Sequence, residues 1–266
     1  MSEMDNSNPY ASPNANVARD PGQQEMGTLI EGGRSVDSGR GAAWISEGFQ
    51  MFMKAPGMWI VVVLVYMVMA FVVSLIPFLG SIAMALLGPV FGAGMLLGCQ
   101  ALDRGEPLEI GHLFAGFKEN VGQLVLVGLL AFVAIFVVAM VAGVIMGIMG
   151  GAGLFAMMAG GHTAAGGLAF VGVAIAGLVF LALMVPVSMA AWYAPALVVF
   201  HQQDAIAALK QSFAGCMKNI VPFLIWGVIA FVLSIVAAIP FGLGFLVLGP
   251  VLLGSLYYSY REIFCA

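Results

Sequence analysis

Few side chains in this chain could move a proton or hold a metal. Glu106, Glu109 and His112 fall close together, with Glu109 and His112 one helical turn apart. That is the spacing an acid–base pair on one helix face would need. It is equally the spacing of a solvated charged face, which is the reading adopted. His162 stands near Met146, Met149, Met157 and Met158. Imidazole with thioethers is a soft donor set suited to Cu(I). Eighteen methionines are scattered through the chain, however, and the thioether is a common filler of irregular apolar gaps, so no metal is assigned. Cys99, Cys216 and Cys265 are odd in number and lack CxxC spacing. They read as small packing residues rather than a disulfide framework or zinc site. His112 and His201, the latter beside Gln202 and Gln203, are expected to be solvated. No P-loop, HExxH or GxSxG motif occurs, and no nucleophile has a base at motif spacing. The expectation is a chain without catalytic, cofactor or metal residues, and not an enzyme.

The elements that would position any site are set by composition. Of the 266 residues, 62% are apolar and 8% charged, and mean hydropathy is +1.07. An ordinary soluble domain is about 25% charged. Disordered chains and soluble α/β enzymes are excluded, and the class is an integral membrane protein. Net charge is −4, which gives no basic excess for nucleic acid.

The ionic residues are clustered. Residues 58–102, 120–203 and 219–260 contain no Asp, Glu, Lys or Arg. One helical crossing needs about 20 residues, so each block holds two. Each also carries a breaker near its middle: Ile76-Pro77-Phe78-Leu79-Gly80, the Gly-rich stretch Gly150 to Gly167, and Ile239-Pro240-Phe241-Gly242. The expected fold is all-α: a polytopic transmembrane helical bundle of about six spans built from three helical hairpins. The spans lie near 58–78, 81–102, 121–149, 168–199, 220–239 and 243–260. The apolar runs are continuous, unlike the alternating segments of a β-barrel. Pro186, Pro195 and Pro222 should kink or end helices.

Three hairpins put both termini and both charged loops on one side, and that side then holds all nine Lys and Arg. The positive-inside rule makes it the cytoplasm. The expected location is a bacterial inner (cytoplasmic) membrane. Residues 1–57 contain no apolar signal core, so the first span should act as the insertion signal. Residues 1–40 are polar and Gly-rich and read as a disordered cytoplasmic tail, leaving 41–266 as the membrane domain.

Before each odd-numbered span lies an amphipathic stretch. These are Trp44, Ile45, Phe49, Phe52 and Met53; Ile110, Leu113, Phe114 and Phe117; and Ile206, Leu209, Phe213 and Met217. Spacings of three and four place each set on one stripe, as in a helix lying in the membrane interface. The stretches also share letters. Phe114-Ala115-Gly116 returns as Phe213-Ala214-Gly215, and Leu87-Gly88-Pro89-Val90 as Leu248-Gly249-Pro250-Val251. The pattern suggests a threefold internal repeat of surface helix, span, turn and span. Glycines spaced by four (Gly143, Gly147 and Gly151; Gly88 and Gly92; Gly94 and Gly98) favour close helix approach. They serve the bundle, or a homodimer or membrane-protein partner.

Phe49 to Lys54, Ile76-Pro77, Gly88-Pro89-Val90, Leu113 to Phe117, Ala191-Trp192-Tyr193-Ala194-Pro195-Ala196-Leu197-Val198, Ser212-Phe213 and Tyr257 to Arg261 together resemble an uncharacterised family of proteobacterial multi-pass inner-membrane proteins. The resemblance spans roughly residues 34–264. More loosely, the layout is similar to the membrane domain attached to some glycerophosphodiester phosphodiesterases, whose catalytic domain has no counterpart here. What the resemblance implies is location and topology; it carries over no activity and no functional residue.

No ionisable residue lies inside a span, which argues against a proton-coupled transporter. Mid-span polar residues are sparse, with Ser74, Cys99, Ser188, Ser234 and Ser255 the main ones. The function expected is a non-catalytic structural component that interacts with lipid or protein. The alternative is a carrier or channel for an apolar or amphipathic molecule.

Overall fold

The computed structural model describes residues 26–158 and 162–266. Within them the chain is helical, and its one β-pairing is an isolated bridge between Leu29 and Cys265. The helices are α1 (Arg40–Lys54), α2 (Pro56–Ser74), α3 (Leu79–Asp103), a 3-10 helix (Ile110–Phe117), α4 (Val121–Met158), α5 (His162–Trp192), α6 (Ala194–His201), α7 (Ala205–Lys218), α8 (Ile220–Ala238) and α9 (Phe245–Phe264).

Among the described residues, five segments are long and apolar enough to cross a membrane: Pro56–Ser74, Leu79–Asp103, Val121–Gly153, Phe170–His201 and Ile220–Ala238. The sixth expected span, 243–260, is a helix but does not join them. Its second half carries Ser255, Tyr257, Tyr258, Ser259 and Tyr260 and runs on into Arg261 and Glu262, which dilute its apolar character. The fourth expected span, 168–199, is broken at Tyr193. Pro195 begins α6 there, since its ring cannot follow a helical turn but fits a first one. The Tyr193 N–H freed at the break donates to Ser212 Oγ at 2.9 Å.

Each amphipathic stretch packs on a later or earlier helix that contains a Pro-Val pair. α1 lies along α9, the 3-10 helix along α3, and α7 along α5. The corresponding pairs are Pro250-Val251, Pro89-Val90 and Pro186-Val187. Glycine permits the first two crossings. A Cβ on Gly48 would sit 2.2 Å from the Val251 carbonyl oxygen, and one on Gly116 would sit 2.0 Å from that of Val90. At the third crossing a hydrogen bond takes the place of glycine: Ser212 Oγ donates to the Met189 carbonyl at 2.7 Å.

These contacts divide the stripes read from sequence. Trp44, Ile45 and Phe52 are buried against the protein, whereas Phe49 and Met53 are exposed. Leu113 is buried, whereas Ile110, Phe114 and Phe117 are exposed. On α7, Ile206, Phe213 and Met217 are exposed on one side and Ala205, Ala208, Ser212 and Cys216 are buried on another. Each stretch therefore has two apolar faces, one for the bundle and one left outward.

The expected solvated tail needs a boundary shift. Residues 1–25 lie outside the described residues, but residues 26–36 run along the C-terminal end of α9. The Ile30 N–H donates to the Phe264 carbonyl at 2.8 Å, Arg34 N–H to that of Ile263 at 2.9 Å, and Ala266 N–H to that of Thr28 at 3.0 Å. Asn219 holds the strap from the other side. Its Oδ1 accepts from Val36 N–H and its Nδ2 donates to the Arg34 carbonyl.

Candidate functional site

Among the described residues, the chemistry-bearing side chains expected from sequence do not converge. Glu109 and His112 cap their own helix. His112 Nδ1 accepts from the Glu109 N–H at 3.0 Å, and the Glu109 carboxylate accepts from the His112 N–H in return. One turn of separation is thus a capping box on an exposed stretch rather than an acid–base pair. Glu106 lies elsewhere, on a polar recess of about 590 Å³ with Lys54 and Asp103. His201, expected to be solvated, is half-buried with Nδ1 at hydrogen-bond distance from the Tyr260 hydroxyl. Met146 and Met158 are exposed and Met149 packs beside Gly172. The side chains of Met157 and His162 lie outside the described residues. All three cysteines are buried and free. Burial pushes the Cys216 thiol up to about 12 and that of Cys265 up to about 11.

Ionic side chains gather where the charged loops meet. Asp103, at the end of α3, accepts from Arg261 and from the Tyr257 and Tyr258 hydroxyls, with Lys54 Nζ at 3.8 Å. Glu262 accepts from Arg40 Nε at 2.8 Å and from the Trp44 indole N–H at 2.7 Å. Arg40 also reaches Glu47 at 2.7 Å, and its guanidinium pKa is raised, first by Glu262. These groups are half-buried and mutually satisfied, so they bind helix ends together rather than present reactive atoms.

Among the described residues an apolar cleft of about 470 Å³ lies between α5, α7 and α8, and a shallower apolar recess of about 600 Å³ lies between α1, α8 and α9. α5 supplies Leu181, Met184, Val185, Ser188, Met189 and Trp192; α7 supplies Cys216 and Met217; α8 supplies Ile220, Phe223, Leu224, Trp226 and Gly227. Trp192 and Trp226 meet edge to face at 5.2 Å between ring centroids, and Trp192 and Phe223 do so at 6.4 Å. The Trp226 indole N–H is anchored on Ser255 Oγ at 2.9 Å. The Trp192 indole nitrogen is buried and has no hydrogen-bond partner, a costly condition for a donor.

The cleft exists because one helix pair fails to close. α3 and α4 pack closely, and a Cβ on Gly128 would lie 2.6 Å from the Leu86 carbonyl oxygen. Counted from Asn120 and Asn219, Gly227 of α8 holds the same position as Gly128 of α4. Yet nothing lies within 4 Å of a Cβ built on Gly227. There the indole rings hold α5 and α8 apart. The glycine stripe Gly143, Gly147 and Gly151 is likewise exposed with nothing within 4 Å, so it does not serve the bundle; Gly94 and Gly98 do, packing on the 3-10 helix and on Leu108. No single-sequence signal marks this cleft. It follows from which of two equivalent glycines finds a partner.

No family model matches the chain, so the likeness to the phosphodiesterase membrane domain finds no support, and no solved structure matches. The chain is 28% identical over 212 residues to a protein of Burkholderia thailandensis named a probable inner membrane protein, an alignment covering 78% of this chain and 77% of that one.

Proposed function

We propose that this is a multi-pass inner-membrane protein of six spans with both termini in the cytoplasm, acting as a non-catalytic component that holds lipid or protein partners in the bilayer. The observation that carries it is the segregation of surface. Large apolar side chains such as Phe71, Phe136, Phe170 and Phe231 lie exposed along the long helices, while Lys54, Asp103, Arg261 and Glu262 meet at one end. Apolar exposure on this scale is stable only in lipid. The name of the Burkholderia relative supports the location.

In this reading α9 is the sixth span, with its tyrosines and Arg261 in the cytoplasmic interface. The outward faces of α1, the 3-10 helix and α7 rest on the same interface, each with a lysine at its C-terminal end: Lys54, Lys118 and Lys218. The shared Pro-Val crossings support a threefold repeat. The outward Gly143, Gly147 and Gly151 stripe is the surface offered to a second copy or another membrane protein.

Single cysteines at 79 and 242 should react with an impermeant maleimide added outside the cell, and cysteines at 105 and 205 should not. External labelling at 105 or 205 would overturn the topology. A carrier reading rests on the cleft alone and requires ligand flux in proteoliposomes.

A further inference from the structure

We infer that the cleft between α5, α7 and α8 holds an acyl chain of an anionic glycerophospholipid from the surrounding bilayer, with the lipid's ester carbonyl accepting from the Trp192 indole N–H and its phosphate drawn to Lys210. The inference rests on the membrane reading above and gives it a ligand.

Three independent observations converge. The first is volume and lining: about 470 Å³, within the ~300–1,000 Å³ of ligand pockets, walled by aliphatic, Met and aromatic side chains. That surface suits hydrocarbon, with Ser188 the one hydroxyl in its lining. The second is the Trp192 donor, buried and unmatched at the end of α5 next to the cytoplasmic-side helices. A buried N–H needs an acceptor. A glycerol ester carbonyl is the acceptor a lipid carries at that junction of chain and headgroup.

The third is charge. Beyond its N-cap, the ionic residues of α7 are Lys210 and Lys218, both exposed. Lys210 shares the outward stripe with Phe213 and Met217, and Met217 forms the rim of the cleft. The Asp204 carboxylate is turned back onto the Ile206 and Ala207 N–H groups of its own helix. An anionic headgroup is therefore met by lysine and not by an opposing acid.

Gly227 supplies the test. A Cβ there meets no atom of the protein within 4 Å and Gly227 lines the cleft, so Gly227→Leu directs its side chain into the cleft from an uncrowded backbone position. Trp192 and Trp226 line the cleft, whereas Trp44 and Trp59 are fully buried elsewhere, so fluorescence quenching reads the cleft. The full chain is reconstituted in phosphatidylcholine vesicles containing a small fraction of phosphatidylglycerol brominated on its acyl chain, and in parallel vesicles whose brominated lipid is phosphatidylcholine.

In the wild type, brominated phosphatidylglycerol should quench at lower mole fraction than brominated phosphatidylcholine. Gly227→Leu should lose that quenching while keeping its thermal midpoint. Lys210→Gln should keep quenching but lose about fivefold of the preference for the anionic lipid, as expected for one lysine near an anionic surface. Equal quenching of wild type and Gly227→Leu, or no anionic preference in the wild type, would overturn the inference. If the chain floats with the vesicles in that case, the membrane reading stands. Failure to float would overturn the membrane reading itself.

Discussion

The crossing of α1 over α9 gives a sharp stability prediction. A methyl on Gly48 would lie 2.2 Å from the Val251 carbonyl oxygen and 2.7 Å from the Ser255 nitrogen. Both are backbone atoms of a packed helix, so neither can rotate away. The two helices must separate, and Gly254, which approaches the Gly48 Cα on the facing side, loses its contact too. Overpacking of this kind costs about 1–3 kcal/mol, and backbone opposition places it near the upper end. Alanine recovers about 1 kcal/mol of helix propensity over glycine. The net expectation for Gly48→Ala is a loss of about 2 kcal/mol, about thirtyfold in the folding equilibrium. Gly249→Ala is the control, because the same methyl on α9 meets nothing within 4 Å. Reversible unfolding in mixed micelles at rising denaturing-detergent fraction reads both. Equal stability of Gly48→Ala and Gly249→Ala would refute the argument that backbone contact dictates glycine at this crossing.

Other perturbations have defined outcomes. Glu262→Gln removes the charged acceptor of Arg40 and Trp44. It should cost about 1–2 kcal/mol, partly screened because the pair is about a quarter to a third exposed, and should red-shift Trp44 emission. Asn219→Ala leaves the Val36 N–H and the Arg34 and Gly215 carbonyls without their partner. It should speed proteolytic cutting within residues 26–36 while the helical content measured by circular dichroism stays unchanged. Cys216 and Cys265 have thiols raised to about 12 and about 11, so both stay neutral at pH 8, and maleimide should label the native chain slowly and the unfolded chain fast. Fast native labelling at pH 8 would contradict their burial.

The apolar helices were legible in the sequence because exclusion of ionic side chains from a low-dielectric slab acts on every residue of a block. Five of six expected stretches carry that signature plainly, and α9 blurs it with tyrosines and the Asp103 partner Arg261. The stretches before the odd-numbered spans stand out as apolar periodicities, but a period says nothing about what covers it. Trp44 and Phe52 face the protein, Phe49 and Met53 face outward, and all four sit within three turns. Glu109 and His112 were visible as a pair, and only the structure distinguishes a capping box from an acid–base pair. The cleft was invisible, since Gly128 and Gly227 hold the same position after Asn120 and Asn219 and only the structure shows that a helix packs on the first while Trp226, where Val127 stands in the other, borders an open cleft at the second.

The bridge from Leu29 to Cys265, and the bond from Arg34 Nε to the Glu262 carbonyl across 228 residues of chain, set an order for biosynthesis. The strap leaves the ribosome before its dock, which follows it by 228 residues of chain. Until then it must wait undocked, and a copy stalled before residue 261 presents it to proteases. Seating of the strap thereby reports that translation has run to the end of α9.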